Sequence, residues 1–206
     1  MANNVIITIA RQHGSGGGEI GRRLGELLGM KVYDNELLTM AAKKKGLPEE
    51  YLRRVDERAT GSLLYSIAMS APFTHSAHAG IEMSINDRLF VAQAEIIREI
   101  AAEESAIFIG RCADYVLRNH PNCINIFLQA DGEVRVARIC ERSGCERKEA
   151  ESEMQKTDKR RANYYNYHTG ARWGRADRYH FVFDTGVLGV EGTAKLIAEA
   201  VRLRNE

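Results

Sequence analysis

The sequence predicts an α/β fold in which a mainly parallel sheet of five strands is covered by helices on both faces. Two observations favour this class. Short apolar segments, several of them rich in β-branched residues, are typical of buried strands, and longer segments with helical periodicity separate them. The chain has 206 residues, of which 44% are hydrophobic, and this length suits a single domain of ordinary size.

The predicted strands are short, apolar and bounded by turn or helix signals. The first, "VIITIA", leads into a glycine-rich turn, and the second, "KVY", ends at an aspartate. Because helical segments separate them, these strands are expected to run parallel. The five strands are Val5 to Ala10, Lys31 to Tyr33, Ala106 to Ile109, Ile124 to Gln129 and Tyr179 to Phe183.

The predicted helices are identified by apolar positions three and four residues apart. In the first helix, Ile20, Leu24, Leu27 and Leu28 form one stripe, and the second ends at "KKKGLP", a helix-stop signal. The helices cover residues 18–29, 35–45, 85–102, 132–142, 146–162 and 191–203. We therefore expect a single domain over residues 1–206, with a core of residues 1–45 and 85–206 and a helical insertion at about 46–84.

Composition excludes several classes of function. The 29 basic residues nearly balance the 28 acidic ones, so no basic field favours nucleic acid. No apolar run approaches the roughly 18 residues of a membrane helix, and "MANNVIITIA" lacks the features of a secretory leader. Four cysteines without a C-x-x-C pair indicate reduced thiols in the cytoplasm, and no set of metal ligands is recognised.

The segment "GSGGG" between the first strand and the first helix predicts an anion site. Glycines let the backbone curl so that successive N–H groups point inward, and the helix N-terminus adds partial positive charge. The alternative is a tight strand–helix connection, which glycine also favours. The residues predicted to bind a phosphate-bearing cofactor are His13, Gly14, Ser15, Gly16, Gly17, Gly18 and Glu19.

The loop departs from the phosphate-binding pattern G-x-x-x-x-G-K-(S/T). With Gly16 as the second glycine, the first is replaced by Arg11, the lysine by Gly17 and the metal-binding hydroxyl by Gly18. Glu19 suits the positive end of the helix dipole but gives phosphate no positive charge. The cations that could replace the lysine are Arg11, Arg22 and Arg23, with His13 a weaker candidate.

The segment "AIFIGRCADYVLRNHPNCINIFLQADGEVRVARI" resembles the cytidylate kinase family. That family has a strand ending in G-R-D, a proline about ten residues later, a strand of the type "IFL-A", and a helix that opens with acidic residues and arginine. "KVYDNELL" and the C-terminal "YHFVFDTGVLGVEG" are similar to other segments of the family and come in the same order. Cys112 stands in place of the aspartate of G-R-D, and Asp114 follows two residues later.

This resemblance implies a three-layer α/β/α P-loop kinase fold, in which the helical insertion binds a nucleoside monophosphate and an arginine-rich lid covers about residues 156–176. It implies ATP and Mg²⁺ as cofactors. Arg111 and Asp114 are expected to bind substrate, as is Asp34, whose alternative role is a helix N-cap. The lid segment "DKRRANYYNYHTGARWGRAD" supplies further candidates, Asp158 for substrate and Arg160, Arg161 and Arg172 for catalysis together with Arg11.

Two functions remain open from the sequence. One is an ATP-dependent phosphotransferase that moves the γ-phosphoryl group to a nucleoside monophosphate or a similar small acceptor. The other is a non-catalytic protein that binds a nucleotide or phosphate on a kinase fold, favoured by the missing lysine and hydroxyl. The segment at 46–84 either covers the acceptor or forms a homodimer contact.

Overall fold

The computed structural model describes residues 4–34, 36–44 and 85–204. The chain forms two compact units, one of residues 1–34 with 97–206 and the other of residues 35–96. The predicted helical insertion at about 46–84 lies outside the described residues.

One parallel sheet organises the first unit. Its strands follow the order β2-β3-β1-β4-β5, so β1 lies at the centre with β3 and β4 as neighbours. All four strand pairs are parallel, which places their carboxyl ends at the same edge. The predicted five-stranded sheet is confirmed. The strands are β1 (Ile6–Arg11), β2 (Lys31–Tyr33), β3 (Ala106–Ile109), β4 (Cys123–Gln129) and β5 (Phe181–Asp184).

Helices connect the strands, as the periodicity predicts. They are α1 (Gly17–Leu28), α2 (Glu36–Lys44), α3 (Ile85–Glu103), the one-turn α4 (Ala113–Val116), α5 (Gly132–Ser143), α6 (Arg147–Thr169) and α7 (Thr185–Arg204). None of the helices in the described part of the chain is long and apolar enough to span a membrane.

Two helices differ in length from the prediction. Helix α6 continues to Thr169 and ends at Gly170, a left-handed cap whose N–H donates to the carbonyl of Asn166. The segment predicted as a lid is therefore helical up to residue 169. Helix α7 begins six residues before the predicted Glu191, and its backbone is kinked at Gly189.

The hydrophobic core joins the centre of the sheet to α1 and α7. Ile7 and Ile9 of β1 are fully buried together with Ile20 and Leu24 of α1. Burying such a side chain contributes about 1.5–3 kcal/mol. The same cluster includes Ile197 and neighbouring residues of α7. This packing fixes the end of β1 and the start of α1, which are the two ends of the glycine loop.

Candidate functional site

The glycine loop joins Arg11, the last residue of β1, to Gly17, the first residue of α1. Gly14 and Gly16 both have φ of 77°, in the left-handed region that favours glycine. A Cβ on Gly14 would also lie 2.6 Å from the carbonyl oxygen of Arg135. The backbone conformation and the packing therefore both require glycine at position 14. The loop ends at the N-terminus of α1, which is suited to an anion.

Thr185, the first residue of α7, binds a backbone carbonyl of the loop. The Thr185 hydroxyl donates to the Ser15 carbonyl over 2.7 Å. Arg138 of α5 donates to the Thr185 hydroxyl at 2.8 Å and to its carbonyl at 2.9 Å. The buried Ser15 hydroxyl donates to the Gln12 carbonyl at 2.8 Å, within the loop. These contacts stiffen the loop before any ligand binds.

Asp158 of α6 holds the loop at His13. One carboxylate oxygen accepts the His13 backbone N–H at 2.7 Å, and the other is 2.5 Å from Arg135, which also donates to the His13 carbonyl. The His13 ring lies 2.7 Å from Glu153, and burial lowers the pKa of His13, with the charge of Arg161 acting in the same direction. Asp158 thus links the helix of the predicted lid to the loop, and its contact with substrate stays a prediction.

A pocket lies beside the loop at the carboxyl ends of β1 and β3. Arg11, Arg111 and Arg161 all line it. Arg161 donates to the backbone carbonyl of Arg11 at 2.9 Å, and Asp34 lies 3.2 Å from the Arg11 guanidinium. The structure thus brings together four of the predicted site residues. The three guanidinium groups make this part of the pocket attractive to an anion.

The pKa shifts agree with this crowding of positive charge. Burial lowers the pKa of Arg161 to about 9, and the charge of Arg11 is the next cause. Burial also lowers the pKa of Arg11, which Arg111 lowers further while Asp34 opposes the shift. With a pKa near 9, Arg161 is still protonated at neutral pH. The pocket therefore holds its positive charge at some electrostatic cost.

The turn that carries Arg111 is strained. Gly110, Arg111 and Cys112 have φ angles of 72°, 57° and 55°. Left-handed conformations cost a non-glycine residue about 1–2 kcal/mol. The turn leads into α4, with the Ala113 N–H donating to the Gly110 carbonyl at 3.1 Å. Such strain is typical of residues held for binding or catalysis.

Asp114 lies in the wall of the same pocket. Its carboxylate accepts the Tyr165 hydroxyl at 2.7 Å, and burial raises the pKa of Asp114. Trp173 also lines the pocket and packs edge-on against Phe127, with ring centroids 5.4 Å apart. The lid residues Tyr165 and Trp173 therefore contribute to the pocket wall.

The remaining predicted site residues differ in exposure and packing. Arg160 is half-buried on α6, whereas Arg172 is exposed in the segment that follows. Glu19 is exposed on the first turn of α1. Gly18 faces open space, since a Cβ there would meet no described atom within 4 Å. Gly17, in contrast, lies directly against the side chain of Arg11.

Three functional positions were missed from the sequence: Arg135, Arg138 and Thr185. Arg135 and Thr185 bind loop residues more than 100 positions away, and Arg138 binds Thr185, so no local pattern reveals these contacts. A signal exists only in the family resemblance, which covers the helix at 132–142 and the "DTG" segment without assigning these contacts.

The loop and pocket fit a nucleoside triphosphate better than a metal bound by protein alone. The loop from Gly14 to Gly18 runs into the N-terminus of α1, and such a backbone is suited to binding phosphate. Within residues 4–34, 36–44 and 85–204, no group of three or more His, Cys, Asp or Glu side chains is placed to hold a metal ion. Mg²⁺ in such sites is usually held by one or two protein groups, water and the phosphates.

A parallel sheet with a glycine loop after the central strand and helices on both faces defines a P-loop kinase fold. Within this class, the chain belongs to the cytidylate kinase-like family, whose model matches residues 6–187. The family resemblance drawn from the sequence is confirmed.

Two comparisons cover nearly the whole chain. The sequence is 28% identical over 199 residues to a protein named cytidylate kinase from Methanothrix thermoacetophila, covering 96% of this chain and 98% of the relative. The fold is similar to a crystal structure of an uncharacterized protein from Eubacterium ventriosum, with a TM-score of 0.71, 26% identity and coverage of 97% and 99%.

A more distant structure supports the fold alone. Shikimate kinase from Acinetobacter baumannii, in complex with shikimate, matches with a TM-score of 0.52 and 14% identity, covering 99% of this chain and 96% of the other. Family and fold together support a phosphotransferase of the nucleotide or small-molecule kinase type.

Proposed function

We propose that the protein transfers the γ-phosphoryl group of ATP to a nucleoside monophosphate or a similar small anionic acceptor. One observation carries this proposal. Arg11, Arg111 and Arg161 meet in a pocket directly beside the glycine loop. A donor on the loop and an acceptor in the pocket would thus bring their reacting phosphates together.

The loop is the proposed donor site. Its backbone N–H groups and the N-terminus of α1 would bind the ATP phosphates. Thr185 on one side and Asp158 on the other hold the loop in shape, so little ordering is needed when ATP binds. Mg²⁺, when bound with the nucleotide, would supply positive charge that neutralises the donor phosphates.

The pocket is the proposed acceptor site. Arg111 and Arg161 would bind the acceptor's anionic group, since guanidinium binds phosphate bidentately. Tyr164 and Trp173 line the same pocket and offer aromatic surface for a base. Asp34 and Asp114 would accept hydrogen bonds from the acceptor's sugar or base.

The chemistry asks for positioning and positive charge rather than a nucleophilic side chain. In phosphoryl transfer, charge spreads over the equatorial oxygens of the group in transit. Arg161 is anchored to the main chain of β1 and faces this region. Arg160 and Arg172 would approach from the predicted lid and exclude water.

The alternative is a nucleotide- or phosphate-binding protein without catalysis. It is favoured by Gly17 and Gly18, which lack the lysine and hydroxyl of the usual loop. A binder has no need of a closing lid, but it would use the same loop and the same three arginines.

The test is ADP release in the presence of ATP, Mg²⁺ and a panel of nucleoside monophosphates and small anionic acceptors. Turnover with one acceptor supports the kinase, and replacing Arg161 by glutamine is expected to lower kcat by at least about 100-fold. Arg202→Gln, an exposed change on α7, is the matched control. Tight ATP binding without turnover over the whole panel would reject catalysis.

A further inference from the structure

The side chain of Arg11 fills space that two glycines leave open. A Cβ on Gly17 would lie 2.7 Å from Cγ and 2.9 Å from Cβ of Arg11. A Cβ on Gly110 would overlap the Nη1 atom of Arg11. The arginine therefore crosses the first turn of α1 and ends at the carboxyl end of β3. Position 17 cannot carry a side chain while Arg11 lies there, and Gly110, with φ of 72°, is also in the left-handed region that favours glycine.

This packing gives a reason for both departures from the usual loop pattern. In G-x-x-x-x-G-K-(S/T), glycine precedes the loop and lysine follows it. Here arginine stands at the first of these positions and glycine at the second. A lysine at position 17 would collide with Arg11, so only one of the two positions can hold the cation. The cation and the glycine have exchanged places.

The surroundings of the guanidinium are those of an anion-binding group. Its Nη2 atom lies 3.2 Å from Asp34, whose carboxylate orients it. Its side chain is only 18% exposed, and the positive charges of Arg111 and Arg161 are close by. Because Arg11 and Arg161 are buried close to other guanidinium groups, a polyanion that binds here would gain electrostatically.

The other candidate cations are less suited to this role. Arg23 is bound to Glu26 at 2.7 Å and to Glu191 at 2.8 Å on the outer surface of α1. Arg22 is exposed on the same helix. His13 has its ring against Glu153, and burial lowers its pKa, which favours the neutral form at pH 7.

We infer that Arg11 replaces the loop lysine as the cation that binds the terminal phosphates of the nucleotide, and that Gly17 is a glycine because the Arg11 side chain occupies its Cβ position. The inference rests on the proposed function for the identity of the nucleotide. The inference predicts that the cation can be moved from position 11 to position 17. A protein with glycine at 11 and lysine at 17 should have the usual phosphate-binding loop and should bind ATP.

The experiment measures ATP binding by isothermal titration calorimetry, without Mg²⁺, for Arg11→Gly, Gly17→Lys and the double variant. Each single change is expected to weaken ATP binding by about 50-fold, the loss expected for charge-assisted hydrogen bonds. The double variant is expected to recover to within about tenfold of the wild type. Arg23→Gln is the control and should bind like the wild type.

Two further variants keep the test decisive if the glycine or lysine changes impair folding. Arg11→Gln keeps most of the side-chain volume and removes the charge, whereas Arg11→Lys keeps the charge. Glutamine should lose binding and lysine should retain part of it, with melting temperatures recorded for all variants.

The outcomes separate the inference from the proposed function. Wild-type affinity in Arg11→Gln would overturn the inference and leave a kinase with another phosphate-binding cation. A folded double variant that binds no better than Arg11→Gly would overturn the exchange of positions. A wild type that binds ATP through Arg11 but turns over no acceptor would reject the kinase and leave the inference standing.

Discussion

Alanine at position 17 and alanine at position 18 add the same methyl group to adjacent residues of α1, yet we expect opposite effects on stability. At Gly18 the new Cβ would meet no atom of the described residues within 4 Å. Alanine is favoured over glycine inside a helix by about 1 kcal/mol, and somewhat less in the first turn. Gly18→Ala should therefore raise the free energy of unfolding slightly.

At Gly17 the same methyl group meets Arg11, at 2.7 Å from Cγ and 2.9 Å from Cβ. The arginine has little room to retreat, because Gly110 lies against its far end and Asp34 binds its guanidinium. Overpacking of this kind costs about 1–3 kcal/mol. After subtracting the helix-propensity gain, Gly17→Ala should lower the free energy of unfolding by about 1–2 kcal/mol.

Urea denaturation followed by circular dichroism measures the difference, and calorimetry gives the matching melting temperatures. For a chain of this length, the contrast of about 2–3 kcal/mol between the variants corresponds to roughly 4–12 °C. In an Arg11→Gly background the collision partner is absent, so Gly17→Ala should become as harmless as Gly18→Ala. Equal effects of the two alanines in the wild-type background would refute the packing of Arg11 against Gly17.

Three other predictions concern residues around the loop and pocket. Asp158→Asn removes the charge that pairs with Arg135 and should lower the free energy of unfolding by about 1–3 kcal/mol while weakening ATP binding, as urea denaturation and calorimetry would show. Burial raises the pKa of Asp114 above its ordinary value of 3.8. The protonated Asp114 carboxyl therefore contributes fully to the free energy of unfolding below pH 3.8, and this contribution is lost as the pH rises through the folded pKa. Asp114→Asn keeps an acceptor for the Tyr165 hydroxyl, and its free energy of unfolding should fall less than that of the wild type between pH 4 and neutrality. Arg23→Ala, on an exposed ion pair, should leave both ATP affinity and melting temperature unchanged, and a marked loss of either would contradict the distinction drawn from Arg11.

The sequence predicts the fold well because buried parallel strands have a strong local signature. All five strands occur where apolar, β-branched segments indicate them, and the helices between them follow from periodicity. The end of α6 is different, since residues 163–169 are polar and aromatic without an apolar stripe. Tyr165 there is buried and donates to Asp114, a contact with a residue 51 positions away that no local pattern contains.

The start of β5 shows the same limit. The apolar segment predicts a strand from Tyr179, but β5 begins at Phe181. Tyr179 instead follows a turn of 3₁₀ helix at Ala176–Arg178, and its ring lies 5.0 Å from that of Phe127. An aromatic residue can be buried just before a strand as well as within it, and only tertiary packing decides between the two.

At the site, local chemistry identifies the arginines but not their arrangement. A glycine-rich turn after a strand indicates the loop, and Arg111 and Arg161 follow from the family resemblance. The inferred replacement of the lysine by Arg11 rests on the path of one side chain between two glycines 93 residues apart, Gly17 and Gly110. Such a path is set by the pairing of β1 with β3, and it becomes visible only in three dimensions.

The electrostatics of the pocket explain why an arginine from the strand can serve where a lysine from the helix is usual. Burial lowers the pKa of Arg11 and of Arg161, and a neighbouring guanidinium lowers each further, Arg111 at Arg11 and Arg11 at Arg161. A bound phosphate would offset part of the repulsion between these guanidinium groups. Because the free protein already contains this unfavourable energy, its removal would add to the binding free energy. What the reaction requires is positive charge at a fixed place beside the loop. In the inferred role, Arg11 at the end of β1 would supply this charge, because the two glycines leave its side chain a path to that place.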